Sequence, residues 1–265
     1  MLLINGIAQD YLPATDRAVQ FGDGCFTTAC VRDGQIHLLE HHLTRLLEGC
    51  ERLAIPIPDI GVLRDEMRLV GQGQSRAIVK VIITRGVGKR GYSIEGCDTP
   101  TRIVSRALYP TFYDEWRERG VSLALSPIRL GRNPCLAGIK HLNRLEQVLI
   151  RTHLEQTPAD EALVLDSEGW VTECCAANLF WRTGKAVFTP RLDQAGVDGL
   201  MRRHIIRLLN QSSWRLSEIY APVSALEEAD EIFICNALMP LVPVREIDGH
   251  AYASRELYNY LIPHC

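Results

Sequence analysis

The chain has 265 residues, 46% of them hydrophobic and 23% charged, with a formal net charge of −3. This is an ordinary globular composition, long enough for one large domain or two smaller ones that each bury a core. The weak negative charge gives no reason to expect nucleic acid or a membrane surface as a partner, and no apolar run approaches the length that spans a bilayer.

The N-terminus lacks a basic region and soon reaches Asp10, so Leu2-Leu3-Ile4 reads as a first strand closed by an Asn5-Gly6 turn, not as a signal peptide. Nine cysteines, at 25, 30, 50, 97, 135, 174, 175, 235 and 265, form no Cys-x-x-Cys pair. An odd, scattered set in apolar surroundings reads as the reduced thiols of a cytoplasmic protein.

Phe21-Gly22-Asp23-Gly24-Cys25-Phe26-Thr27-Thr28 places two glycines around an aspartate before a strand-like run. Such a turn requires positive φ or close approach of backbone, and it lacks the spacing and Lys-Ser/Thr ending of a phosphate loop. Asp33-Gly34 makes a hairpin turn. Leu43, Leu46, Leu47, Cys50 and Leu53 then repeat at helical spacing. Arg45 lies off that stripe, where it is either solvated or free to hold an anion. His37 and His41 stand one helical turn apart, but no carboxylate or cysteine completes a ligand set, so no metal is expected.

The β-branched run Ala77–Thr84 reads as a buried strand. It empties into a basic, glycine-rich loop, Arg85 to Tyr92, that is either solvated or able to clamp a carboxylate. A further strand begins at Ile103 and ends by Tyr109-Pro110. The organisation expected is a smaller α/β domain over 1–110, a joint over 111–120 and a larger domain over 121–265.

Beyond a strand at Val121–Leu125 comes Leu136-Ala137-Gly138-Ile139-Lys140-His141-Leu142-Asn143-Arg144, followed by a helical apolar pattern through Leu145, Val148 and Leu149. A lysine behind an apolar approach is either a surface side chain with a packed stem or a desolvated amine of lowered pKa, fit for Schiff-base chemistry. Glu161–Leu165 and Trp170–Glu173 flank Asp166-Ser167-Glu168-Gly169 as a hairpin. Glu173 enters the run Cys174 to Trp181, where it is either an edge carboxylate facing water or a buried one needing a cationic or N–H partner. A loop ending in Gly196-Val197-Asp198-Gly199 starts a helix carrying Leu200, Ile205, Leu208 and Leu209, and a helix N-terminus offers N–H groups to an anion. The strand Glu231–Cys235 breaks at Asn236-Ala237 and resumes over Leu241–Val244.

A reactive lysine, a carboxylate, an arginine and an anion-binding helix start match the needs of pyridoxal phosphate. The Phe21–Thr28 stretch, Leu136 to Gln147, Asp166–Gly169 with Thr172-Glu173, and Cys235-Asn236-Ala237, in this order, resemble the fold-type IV pyridoxal-phosphate enzymes. That group contains the branched-chain and D-amino-acid aminotransferases. The resemblance implies a two-lobed α/β (α+β) fold with pyridoxal 5'-phosphate between the lobes, and a homodimer. It makes Lys140 the Schiff-base lysine and catalytic base, Glu173 the partner of the pyridine nitrogen, and Arg45 a phosphate ligand. Backbone groups at Val197-Asp198 and Asn236-Ala237 join Arg45, with the Asp198 carboxylate turned away. Arg90, Tyr92, Phe26 and Thr28 are the implied substrate-binding side chains.

The activity implied is a lyase converting 4-amino-4-deoxychorismate to 4-aminobenzoate and pyruvate in folate synthesis. An aminotransferase acting on D- or branched-chain amino acids with the same cofactor residues is the alternative. A non-catalytic cofactor-binding protein is a third reading, against which the joint presence of Lys140 and Glu173 argues.

Overall fold

The computed structural model describes residues 1–265, and the chain divides into two units: Met1–Pro110 with Ile139–Asn143, and Thr111–Gly138 with Arg144–Cys265. In the first unit β1 (Leu2–Ile4) and β2 (Ile7–Ala8) form a hairpin around Asn5 and Gly6, both at positive φ as a two-residue turn of this kind requires. A short α1 (Arg17–Phe21) leads into β3 (Gly24–Arg32), which turns at Asp33-Gly34 into β4 (Gln35–Ile36). Two helices follow, α2 (Leu39–Arg52) and α3 (Ile60–Gly71), then β5 (Arg76–Thr84) and β6 (Thr101–Leu108). The six strands make one antiparallel sheet in the order β2-β1-β6-β5-β3-β4.

Period-two alternation gives this sheet two different faces. Cys25, Ala29 and Val31 of β3, Val79, Val81 and Ile83 of β5 and Val104 of β6 pack on Leu43, Leu46 and Cys50 of α2 and Leu63, Met67 and Val70 of α3. The opposite face carries Phe26, Thr28, Lys80, Ile82, Ile103 and Ser105, none of them fully buried.

The second unit starts with α4 (Phe112–Arg119) and β7 (Val121–Leu125). The segment 111–120, expected as a joint, is thus mostly helix. Arg119 at its end pairs with Asp160 at 2.6 Å, within the same unit. Next come α5 (Leu145–Leu154), β8 (Glu161–Leu165), β9 (Val171–Cys174), β10 (Asn178–Thr183), β11 (Ala186–Pro190), α6 (Leu200–Asn210) and β12 (Arg215–Ile219). The chain closes with α7 (Ser224–Glu227), β13 (Glu231–Cys235), β14 (Val242–Ile247), β15 (His250–Ala251) and α8 (Glu256–Leu261). A mixed sheet runs β12-β11-β10-β13-β14-β7-β8-β9, with β15 on β14. Its core gathers Leu123, Leu163, Leu179, Trp181, Ile232, Ile234 and Val244, while Phe180 and Phe233 stack at 5.1 Å. No helix is long and apolar enough to cross a membrane.

The helix expected after Lys140 forms, but with its apolar pattern turned outward. Leu145, Val148 and Leu149 are 76%, 56% and 56% exposed, while Ile150 and Leu154 fill the core with Leu130, Ala162 and Val164. This helix is apolar on both sides, so spacing alone does not say which side the sheet covers.

Glu161 starts β8 with only 3% of its surface exposed, accepting hydrogen bonds from the Ala162 and Ala176 N–H groups at 2.8 and 3.2 Å. Burial raises its carboxyl to about 7, against the lowering effect of those N–H groups. The folded state therefore holds a proton that the unfolded chain releases near its ordinary value of 4.5. This contribution to stability is complete below that value and is lost as pH rises through 7, by about 3 kcal/mol in all. Urea titrations between pH 4.5 and 8 should show this decline in the wild type and a flatter profile in Glu161→Gln; parallel profiles would contradict the assignment.

Candidate active site

Lys140 is held by main-chain bonds to the start of β3. The Phe26 N–H donates to the Lys140 carbonyl at 2.9 Å, the Leu142 N–H donates to the Gly24 carbonyl at 3.0 Å, and Cys25 faces His141 in an antiparallel bridge. These bonds place Ile139–Asn143 in the first unit, although both flanking stretches belong to the second and the sequence suggests a second-domain lysine. The two glycines of Gly22-Asp23-Gly24 follow from this contact. A Cβ on Gly24 would lie 2.5 Å from the Ile83 carbonyl oxygen and 2.7 Å from Leu142 Cδ1. Gly22, at φ +64°, would meet the Asn143 side-chain oxygen at 2.5 Å, and the Asn143 amide donates to the Gly22 carbonyl at 3.1 Å. Asp23 locks the turn: Arg17 and Arg85 reach its carboxylate at 2.8 and 2.7 Å, and against the opposing effect of burial they hold its carboxyl below the usual range.

The half-buried Lys140 Nζ lies 4.7 Å from the Phe26 ring centre. Phe26 and Thr28 share that face of β3, while Thr27 points inward to His42 Nδ1 at 2.6 Å. Burial first, and then the charge of Arg45 one turn along α2, push His42 down to about 3, so it is neutral at pH 7. Arg45 is half-buried. Arg90 is exposed, and Tyr92 is 85% exposed with its ring 5.3 Å from that of Phe21. The loop itself is tied down, because the Arg17 guanidinium donates to the Gly91 and Ser93 carbonyls at 3.0 and 3.2 Å.

In the second unit the organising group is Glu173, on β9 and 5% exposed. Its Oε2 accepts the Val197 N–H at 2.8 Å, and Gln147 of α5 approaches Oε1 at 3.5 Å. The loop can lie this close because Gly196 sits at φ +85°, where a Cβ would come within 2.9 Å of Thr172 and Leu192 and 3.3 Å of Glu173 Oε2. Arg144, at the entry to α5, acts on the same carboxylate: burial lowers its own pKa, and the charges of Glu173 and Glu146 oppose that. A cation and an N–H donor beside a buried carboxylate both favour its charged form. Arg144 and Gln147 were given no role from sequence, since only the folded chain shows them converging on Glu173.

The loop before α6 departs from expectation. The Val197 N–H is taken by Glu173, the Asp198 N–H donates to the Gly138 carbonyl at 3.1 Å, and the Gly199 N–H donates to the Asn178 side chain at 3.1 Å. The Asp198 carboxylate is held by Arg202 and Arg203 at 2.9 and 2.7 Å. The donors left for an anion are therefore the first-turn N–H groups of Leu200, Met201 and Arg202. A similar correction applies to Asn236. Its N–H donates to Met239, its side-chain oxygen accepts the Leu238 and Met239 N–H groups, and its amide donates to Ala176, so it shapes the turn. The Ala237 N–H has no acceptor in the protein.

Each unit by itself offers groups of the kinds that pyridoxal phosphate requires: the first a half-buried amine against an aromatic ring, the second a buried carboxylate and N–H donors suited to a phosphate. The side-chain amide oxygen of Gln147, whose amide nitrogen approaches Glu173, is buried without a hydrogen-bond partner, as suits a wall that meets a ligand.

The sequence model of the amino-transferase class IV family matches residues 24–247. The chain is 37% identical over 249 residues to the aminodeoxychorismate lyase of Vibrio harveyi, covering 94% of this chain and 92% of that protein. The crystal structure of 4-amino-4-deoxychorismate lyase from Pseudomonas aeruginosa superposes with a TM-score of 0.94 at 36% identity, covering 100% of this chain and 97% of that one. Aminotransferases are also similar: the D-alanine aminotransferase of Listeria innocua is 27% identical over 262 residues, 93% of this chain and 88% of that one.

Proposed function

Because the chain belongs to the class IV amino-transferase family, whose enzymes work with pyridoxal phosphate, we propose that it is the lyase that converts 4-amino-4-deoxychorismate to 4-aminobenzoate and pyruvate. The observation that carries this reading is its full-length likeness to the Vibrio harveyi and Pseudomonas aeruginosa lyases.

Bound pyridoxal phosphate supplies a protonated, conjugated ring that draws electrons from the carbon bearing the substrate nitrogen. The protein residues supply the rest. Lys140 Nζ would hold the cofactor and, as a neutral amine, would take the proton from the ring carbon beside the substrate nitrogen. Phe26 restricts where Nζ sits, and loss of the enolpyruvyl oxygen as pyruvate leaves an aromatic ring. Glu173, with the Val197 N–H and the charge of Arg144 beside it, would face the pyridine nitrogen. Arg45 in the first unit, and the first-turn N–H groups of α6 with the Ala237 N–H in the second, are the groups that each unit offers a phosphate. Arg90 and Tyr92, in the loop fastened by Arg17, extend to the substrate carboxylates.

A transaminase reading is supported by the Listeria innocua relative and would use the same residues in two half-reactions. The two are separated by supplying aminodeoxychorismate alone. The lyase reading predicts equal amounts of pyruvate and 4-aminobenzoate over many turnovers with no oxo acid present; turnover only on addition of 2-oxoglutarate would contradict it. Lys140→Ala should abolish product formation, and Glu173→Gln should lower kcat by about two orders of magnitude or more.

The exposed Leu145, Val148 and Leu149 of α5 suit burial against a second copy in a homodimer. Leu149→Glu should shift sedimentation from dimer toward monomer; a wild type that sediments as a monomer at micromolar concentration would sink this assignment.

A further inference from the structure

The loop that follows β5 is fastened in two different ways. Its base is held by main chain: the Arg17 N–H donates to the Gly86 carbonyl at 2.9 Å, the Gly88 N–H donates to the Thr15 carbonyl at 3.2 Å, and Asp16 bridges Val87. Its crown, Lys89 to Gly96, is exposed at every residue but Gly91. The Cys97 N–H closes the crown on the Ile94 carbonyl at 3.1 Å. Every hydrogen bond from the crown to the rest of the chain comes from one side chain. Arg17 Nη1 donates to the Gly91 and Ser93 carbonyls at 3.0 and 3.2 Å, and Nη2 donates to the Tyr92 carbonyl at 3.4 Å.

The same guanidinium faces two ways. Its Nε donates to Asp23 Oδ2 at 2.8 Å, in the turn against which the Lys140 peptide lies. That carboxylate is already spanned by Arg85, whose Nε and Nη2 reach its two oxygens at 2.7 and 3.1 Å. What Arg17 alone supplies is therefore its other edge, the one on the crown. Arg17 is only 4% exposed, so lifting the crown would strip buried charged donors of their acceptors. The loop leaves room for this side chain: a Cβ on Gly88 would stand 2.8 and 3.0 Å from Arg17 Cδ and Cγ. Phe21 completes the arrangement, with its ring centre 4.8 Å from the guanidinium carbon and 5.3 Å from the Tyr92 ring.

We propose that Arg17 is a positioning residue for the substrate: its guanidinium latches the 89–96 crown in place before any ligand arrives, so that Arg90 and Tyr92 stand ready for the substrate carboxylates. A loop fixed in advance loses little freedom on binding, which strengthens the complex. The identity of the ligand rests on the lyase reading. Arg17 acts through the loop and takes no part in proton transfer, which stays with Lys140.

Trypsin cuts after Lys89 and Arg90 and so reads the open form of the crown in the holoenzyme. Arg17→Lys keeps a charge for Asp23 but lacks the planar fork that spans several carbonyls, and Gly88→Ala presses Arg17 aside without removing it. Both should speed cleavage at these two sites by about tenfold or more, read from fragment masses, and raise KM for aminodeoxychorismate by a similar factor. The kcat should fall much less, and borohydride labelling of Lys140 should stay near-stoichiometric. In a variant with wild-type far-UV circular dichroism, cleavage within about twofold of wild type, or faster cleavage at unchanged KM, would overturn the proposal. So would loss of kcat and labelling at constant KM, which would assign Arg17 to the turn alone. Calorimetric binding of chorismate, a related dicarboxylate with a hydroxyl in place of the amine, separates the two readings. If the wild type releases no pyruvate but binds chorismate, and the variants are cut faster and bind it about tenfold more weakly, the latch stands and the lyase reading fails. If the wild type releases pyruvate and the folded variants are cut no faster, the latch fails alone.

Discussion

Two main-chain hydrogen bonds, Phe26 N–H to the Lys140 carbonyl and Leu142 N–H to the Gly24 carbonyl, fix the Lys140 peptide on the start of β3. Much else in the first unit follows from them. A five-residue peptide can lie on the start of β3 only if β3 presents no side chains there, which accounts for glycine at both 22 and 24. It also requires the turn between them not to flex, and the Arg17–Asp23–Arg85 ion pairs, all shielded from solvent, meet that need. The alternation of β3 then sends Cys25, Thr27 and Ala29 toward the helices and Phe26 and Thr28 toward the amine. With its backbone so held, Lys140 lays its side chain against the Phe26 ring.

The second unit buries a carboxylate where water is scarce. Glu173 is met there by one N–H group, the field of Arg144 and the nearby Gln147 amide. Glu161 shows the contrast. It is equally buried and accepts two N–H bonds, yet burial raises its carboxyl to about 7, since Arg151 is the one charge that counters the cost.

Residue types and elements were largely legible in the sequence. β-Branched runs gave β5 and β13, Asn5-Gly6 and Asp33-Gly34 gave hairpins, and the leucine spacing of α2 gave its buried face. Lys140 and Glu173 stood out because a lysine and a glutamate enter apolar stretches. What remained hidden depends on closure of the chain. No local pattern says that the N–H groups of Val197 and Asp198 already have acceptors in Glu173 and Gly138, or that Asn236 folds back on its own turn. The outward face of α5 was missed because Leu145, Val148 and Leu149 compete with Ile150 and Leu154 for the same core.

The central claim is that the glycine contact between β3 and the lysine peptide places the amine. It is tested most directly in Gly24→Ala by borohydride reduction with pyridoxal phosphate, followed by peptide mass analysis. The added methyl must displace Leu142 or the Ile83 carbonyl. With far-UV circular dichroism unchanged, labelling of Lys140 should fall well below the near-stoichiometric wild-type level. Labelling of Lys140 in the folded variant at the full wild-type rate and extent would contradict it.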